Sequence, residues 1–356
     1  MKKHNFNAGP AILPAEVLEK AARACVELDG IGLSLLEISH RSSEFTAIMD
    51  RSVHLVRELL QLDEAYHVLF LSGGASSQFY MSALNLLAPD QKASYVDTGT
   101  WSYKAIQDAR RLGTIEILAS SKEEGYTFIP KNYSIPEDAR YLHLTSNNTI
   151  YGTQYHAFPN SPIPLVCDMS SDIMSRPFDI RPFGLIYAGA QKNIGPAGAT
   201  LVIVRKDMLG ATGRDLSPMM DYSVHAKENS LYNTPPVFPI YVTMLTLEWI
   251  LGLGGLEAME RRNREKQETL YREIDSNPLF KGRCVPEDRS WMNVTYDLTQ
   301  PDLEAAFLKA CKEAGIEGVK GHRSAGGFRA SLYNALPLES VKVLTGVMRD
   351  FAEKNG

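Results

Sequence analysis

Between positions 67 and 204 the chain repeats one pattern: a short apolar run, a turn signal, then a helical or polar stretch. The runs fall at 67–71, 93–96, 115–118, 141–144, 165–167, 185–188 and 201–204. Each is too short for a core helix, and most are apolar on consecutive rather than alternate positions. A strand that reads apolar throughout is buried on both faces, which requires helices above and below it. The expected class is therefore α/β, a mostly parallel sheet with helices on both sides.

Helices are expected at 15–28, which Pro14 could open, and at 44–60, where Ile48, Leu55, Val56 and Leu59 keep near-helical spacing. Further helices are expected at 76–87 and 103–112. Residues 5–10 read as an extended arm with a turn. Past Gly252–Gly255 the composition shifts to a long polar helix at 256–274, of the kind that bridges domains. A strand at 292–296, a helix at 301–314, a strand at 328–332 and a helix at 338–353 then make a small α+β unit. A chain of 356 residues is long for one average domain. The expected division is an N-terminal arm, 1–14, a large α/β domain, 15–255, and a small C-terminal domain, 256–356.

The bulk composition excludes more than it proposes. Net charge is −5 and no lysine/arginine run marks a nucleic-acid partner. No apolar run approaches the ~18 residues that cross a bilayer, and the two lysines after Met1 precede no apolar stretch, so no secretory signal is expected. Four cysteines, Cys25, Cys167, Cys284 and Cys311, lie far apart. That spacing argues against a disulfide framework or a zinc site, and for a reducing cytoplasm.

The chemistry concentrates where the apolar runs end, which is where open α/β sheets place ligands. Lys192 follows the run at 185–188, in a turn of small residues, and a second run begins at Thr200. A lysine there can be partly desolvated, which lowers its pKa and frees the neutral amine to attack a carbonyl. The aldehyde of pyridoxal phosphate is such a carbonyl. Asp168, ending another run, could keep a pyridine nitrogen protonated and turn the ring into an electron sink. Gly73, Gly74, Ala75, Ser76 and Ser77 make a strand-to-helix junction with free N–H groups for a phosphate. Trp101 offers a flat face for stacking, and Asn233 and Thr234 form a polar loop stiffened by two prolines. Taken singly, each has a plain structural alternative: a loop lysine, a helix cap, a capped turn or a packing tryptophan. His40, Arg41, His322, Arg323 and Arg329 are cationic or imidazole groups beside glycine- or serine-rich loops, suited to a substrate with two anionic groups. Surface ion pairs are the alternative for each.

Four stretches together carry a resemblance: Tyr187 to Gly198 around the lysine, Ile38-Ser39-His40-Arg41, Asn233-Thr234-Pro235-Pro236, and Lys320 to Arg323 with Gly326 to Ser331. They resemble the phosphoserine aminotransferases, a family of class-V aminotransferases, and the similarity runs from Asn5 to the last helix. The resemblance implies the fold type I of pyridoxal-phosphate-dependent transferases and a transamination between L-glutamate and 3-phosphooxypyruvate in serine biosynthesis. It also leaves room for formation of 4-phosphooxy-L-threonine in pyridoxine biosynthesis. Lys192 would bind the cofactor aldehyde and Asp168 the pyridine nitrogen. Trp101 would stack on the ring, and Thr149 would meet its phenolic oxygen. Ala75, Ser76 and Gln191 would hold the phosphate, completed by Asn233 and Thr234 from a neighbouring subunit, which implies a homodimer. Arg329 would bind the substrate α-carboxylate, and His40, Arg41, His322 and Arg323 its distal anion. Some family members carry arginine where Ser76 stands and serine where Ala8 stands.

Two other class-V activities fit less well. A cysteine desulfurase needs a reactive cysteine on a loop near the substrate, and residues 318–331 contain none. An alanine–glyoxylate aminotransferase would not need so many cationic groups. A non-catalytic scaffold would be expected to have lost Lys192 or the arginines.

Overall fold

The computed structural model describes residues 3–355. The chain begins with a two-residue strand, β1 (His4–Asn5), and two helices, α1 (Ala15–Val26) and α2 (Ser43–Leu60). α2 starts where the Ser42 hydroxyl accepts the Phe45 N–H, and it stops at Gln61, which turns left-handed at φ 52°. The alternating region supplies β2 (Tyr66–Leu71), α3 (Gly74–Leu86), β3 (Lys92–Asp97), α4 (Thr100–Ala109) and β4 (Thr114–Ser120). After these come β5 (Leu142–Thr145), β6 (Leu165–Asp168), β7 (Phe183–Gly189) and β8 (Thr200–Arg205).

These strands form one sheet in the order β2–β8–β7–β6–β5–β3–β4. From β7 to β4 all neighbours are parallel, while β8 runs antiparallel to both β7 and β2. β5, β6 and β7 are buried along their whole length, which is why they read as unbroken apolar runs. The edge strand β4 is largely exposed and carries Glu116, which pairs with Lys92. The antiparallel step from β7 to β8 has a functional consequence. It needs no crossover helix, so the connection at 190–199 stays at the sheet end where β6 also terminates.

The second half comprises α5 (Tyr222–Lys227), α6 (Val237–Gly252), α7 (Gly255–Ser276), β9 (Phe280–Gly282), β10 (Asn293–Leu298), α8 (Glu304–Glu313), β11 (Ile316–Glu317), β12 (Phe328–Ser331) and α9 (Leu338–Asn355). β9, β10 and β12 form an antiparallel sheet with β10 in the middle. Buried side chains gather into three clusters. Two of them, including Phe45 and Ile186 on one side and Phe79, Tyr95 and Tyr187 on the other, sandwich the large sheet. The third is built from Leu270, Tyr296, Phe307, Phe328 and Leu344. α7 contributes Leu256 and Met259 to the first cluster and Leu270 and Ile274 to the third.

The N-terminal arm also reaches both regions. β1 pairs in parallel with β11, Phe6 is buried in the third cluster, and the Ala11 N–H donates to the Gln191 carbonyl at 2.9 Å. Among the described residues no single helix is long and apolar enough to cross a membrane.

Candidate active site

Lys192 lies in the 190–199 connection, closed at its base by the Ala190 N–H donating to the Ala199 carbonyl at 3.0 Å. Its Nζ donates to Thr149 Oγ1 at 2.7 Å, in the turn that follows β5. Burial is the main influence on this amine and brings its pKa down to about 8. The Asp168 carboxylate opposes that shift, and the Arg329 guanidinium adds to it. Asp168 is the last residue of β6, beside Tyr187 of β7 in the parallel register. Its Oδ1 accepts the Ser170 N–H at 2.9 Å. Burial raises its pKa, and the Lys192 ammonium acts in the other direction. The two strand ends are fixed to each other because the Ser170 hydroxyl accepts the Gly189 N–H at 3.1 Å.

Trp101 sits in the first turn of α4, which begins three residues earlier than the sequence pattern suggests. The reason is local. The Thr98 and Gly99 N–H groups both donate to Ser102 Oγ at 2.9 Å, and that hydroxyl donates to Asp97 Oδ1 at 3.0 Å. The Lys192 ammonium stands 6.0 Å from the Trp101 ring centre. Phe79 of α3 packs against the indole with ring centres 6.5 Å apart, so the start of α3 borders the same end of the sheet. That start holds Gly73 at φ 98° and Gly74 at φ 67°, conformations that favour glycine, followed by Ala75 and the exposed Ser76.

Arg329, on β12, donates from Nη1 to the Thr149 carbonyl at 3.2 Å, joining the small sheet to the lysine's hydrogen-bond partner. Its Nε is buried without a partner, as is Trp101 Nε1. An amine of lowered pKa, a buried carboxylate, an aromatic face and two unpaired buried N–H groups converge here. That donor set fits pyridoxal phosphate with an anionic substrate beside it. His322 is close enough to Arg329, Arg323 and Lys104 that their charges, after burial, hold its pKa below the usual imidazole value. The Ser324 N–H points at His322 Nδ1 (3.2 Å), and the Ser324 hydroxyl lies 2.6 Å from the same nitrogen, so the ring is held by the loop's own next turn.

The structure thus gathers Lys192, Asp168, Thr149, Trp101, Arg329 and His322 from five separate segments. Gln191 precedes Lys192 in the chain, and its carbonyl is tied instead to the N-terminal arm through the Ala11 N–H. It does not bring in His40 and Arg41, on the connection between α1 and α2. There Arg41 Nε meets His40 Nε2 at 3.3 Å, and no hydrogen bond or ion pair ties either to the lysine cluster. Asn233 and Thr234, before α6, likewise contact each other rather than the cluster.

Sequence reasoning missed several supporting residues. Asn193 donates from Nδ2 to the Ser171 carbonyl at 3.1 Å and accepts the Asn334 N–H at 3.1 Å. Tyr333 donates to the Ala8 carbonyl at 2.7 Å. Lys104 stands 4.9 Å from the Trp101 ring centre, one helical turn along α4. Asn193 sits beside the lysine in sequence and could have been flagged by that alone. Tyr333 and Lys104 carry no local signal.

The aminotransferase class-V family model matches residues 3–344. The phosphoserine aminotransferase of Flavobacterium psychrophilum is 57% identical over 99% of this chain and 100% of its own. That of Bacteroides thetaiotaomicron is 52% identical over 99% of each chain. Among solved structures, phosphoserine aminotransferase from Bacillus circulans subsp. alkalophilus superposes with a TM-score of 0.97 at 45% identity, covering 100% of this chain and 99% of that one. The pyridoxal-phosphate-bound enzyme of Trichomonas vaginalis gives 0.92 at 38%, over 98% of this chain and 100% of that one. With its sheet order, its lysine centre and these likenesses together, the chain belongs to the class-V aminotransferases and, among them, to the phosphoserine aminotransferase family.

Proposed function

We propose that Lys192 is the amine through which this chain holds pyridoxal phosphate, with Asp168, Trp101, Thr149, Gln191, Ala75 and Ser76 holding the rest of the cofactor. The observation that carries the reading is the amine itself: half-buried, its pKa brought down to about 8 by loss of solvent, held by Thr149 and set near a buried aspartate and an indole. The chain is a phosphoserine aminotransferase, passing the amino group of L-glutamate to 3-phosphooxypyruvate to give O-phospho-L-serine and 2-oxoglutarate in serine biosynthesis.

When bound, pyridoxal phosphate supplies an aldehyde that takes up the amino group and a ring that accepts electrons released at the α-carbon. The chain's own residues do the rest. Lys192, as neutral amine, takes the α-proton of the amino donor and later returns it. Thr149 holds that amine in place, and Trp101 covers one face of the site against water. Asp168 keeps a negative charge where a protonated ring nitrogen would lie. Arg329 would fork onto the substrate α-carboxylate, its Nε being free to do so. His322 and Arg323, with His40 and Arg41, would take the distal phosphate in one half-reaction and the glutamate side-chain carboxylate in the other. Ser76 offers no charge, so the phosphate depends on those four groups.

A homodimer belongs to this reading. His40 and Arg41 follow a stretch that exposes Ile31, Leu33 and Leu36, and Asn233 and Thr234 follow one that exposes Met219, Met220 and Tyr232. Exposed apolar side chains beside unpartnered polar pairs suit an interface that places both pairs at a neighbouring site. The four unpaired cysteines, three of them buried, support a cytoplasmic location.

The test is a substrate comparison. The rate constant kcat/KM for 3-phosphooxypyruvate is expected to exceed that for plain pyruvate by about a hundredfold or more, because the cations are left unpaired by pyruvate. Comparable values would overturn the assignment of the distal-anion site.

A further inference from the structure

His322 and Arg323 ride on a loop, residues 320–327, that has almost nothing apolar to anchor it: its side chains are Lys, His, Arg, Ser and one Ala, with three glycines. Its base is secure. Val319 and Phe328 are buried, the Arg329 N–H donates to the Val319 carbonyl at 2.9 Å, and the Gly321 N–H donates to the Gly327 carbonyl at 2.8 Å. The tip is held from outside. Arg283, just after β9, donates from Nη1 to the Ala325 carbonyl at 2.8 Å. The other edge of the same guanidinium grips Asp297 of β10, with Nε to Oδ2 at 2.7 Å and Nη2 to Oδ1 at 2.8 Å.

This is a two-point fork on a strand with a third N–H directed at the loop. A bidentate pair fixes the plane of the guanidinium, so the direction of the remaining N–H is fixed as well. The loop is also shaped to lie against it. A Cβ on Gly327, at φ 57°, would meet Asp297 Oδ1 at 2.1 Å and Arg283 Nη2 at 2.9 Å. Neither Arg283 nor Asp297 touches the lysine centre, so their effect on the reaction must pass through the loop.

We propose that Arg283 and Asp297 are positioning residues for the distal anion of the substrate, holding the 320–327 loop so that His322 and Arg323 meet that anion together. The proposal rests on the reading of His322 and Arg323 given above. A free loop would have to be ordered by each incoming substrate, and that entropic cost would be taken from binding. A clamped loop presents its two groups already in place.

The experiment uses the cofactor-loaded enzyme and follows the amino-donor half-reaction by visible absorbance. It compares O-phospho-L-serine with L-alanine, which has no distal anion, in wild type and in the variants Arg283→Met, Asp297→Asn and Arg323→Ala. Both clamp variants are expected to raise KM for O-phospho-L-serine, read as its half-saturating concentration, by about tenfold, with its maximal half-reaction rate and the alanine half-reaction rate unchanged. A fold defect would instead depress both substrates together. If Arg323→Ala raises that KM while both clamp variants match wild type, the clamp is idle and the proposal falls, with the site assignment intact. If Arg323→Ala also matches wild type, the loop does not bind the anion, and both readings fall. Should Arg283→Met not fold, Asp297→Asn carries the test, since it weakens the fork while leaving the guanidinium in place.

Discussion

At the scale of single residues, the proposed chemistry depends on one amine and the two forces acting on it. Burial pushes the Lys192 pKa down to about 8, and Asp168 holds it up. The neutral amine is the form that attacks an aldehyde. Uptake of pyridoxal phosphate by the cofactor-free protein is therefore expected to quicken as pH rises through about 8, read as growth of visible absorbance in a stopped-flow mixer. Replacing Asp168 with Asn removes the charge that favours the ammonium. The midpoint of that pH profile then moves lower, while binding of the cofactor ring weakens. An unchanged midpoint would mean that the two groups do not interact. Lys192 and Asp168 were legible in the sequence because each is a charged residue placed where an apolar run stops. Ser170 was not, because a serine holding a backbone N–H looks like any turn serine. Its role exists only once β6 and β7 lie side by side.

Among the elements, the decisive one is the connection between β7 and β8. Gly195 lies within it, and a Cβ there would stand 2.3 Å from Thr243 Oγ1 on α6. Gly195→Ala must push the connection off that helix, at a cost of about 1–3 kcal/mol. Thermal unfolding should show the loss. Adding Thr243→Ala, which removes the opposing hydroxyl, should recover most of it; failure to recover would place the strain elsewhere. The central strands were readable from the sequence for the reason already given: strands buried on both faces have no polar side to blur the signal. α6 was not readable. It is apolar all round, so it shows no helical stripe, and only its burial against α1, α2 and α7 explains a composition that periodicity cannot classify. β1, β9 and β11 escaped for the opposite reason, being two or three residues long and defined by their partners.

For the whole molecule, the centre is assembled across distance. Thr149 follows the large sheet and Arg329 lies on the small one, yet one hydrogen bond joins them. Behind them the Lys266 ammonium, buried on α7, donates to the carbonyls of Leu332 and Tyr333 at 2.6 and 2.7 Å. Burial and the neighbouring Arg262 charge hold its pKa well below the usual lysine value. Removing the ammonium in Lys266→Ala would leave two carbonyls unpaired and a cavity, for a loss of about 2–5 kcal/mol in urea unfolding. No loss would show that water replaces the amine. The proposed sharing of sites between subunits has its own test. Lys192→Ala and Asn233→Ala chains are each expected to be nearly inactive alone. Co-refolded in equal amounts, they should recover about a quarter of wild-type activity, since half the dimers are mixed and one of their two sites is intact. Sites built within one subunit would recover nothing. That the strands would fall into two groups, before and after the glycine-rich break that precedes α7, could be anticipated from the sequence. The contacts between the parts could not, because residues such as Asn334 and Tyr333 bear no mark of their partners until the chain has folded.

The central claim is that Lys192 is the amine that binds the cofactor. Borohydride reduction of the enzyme loaded with pyridoxal phosphate, followed by peptide mapping, tests it most directly. The label is expected on the peptide carrying Lys192, with the visible absorption band of the loaded protein absent in Lys192→Ala. A label on any other lysine, or an unchanged band in that variant, would contradict it.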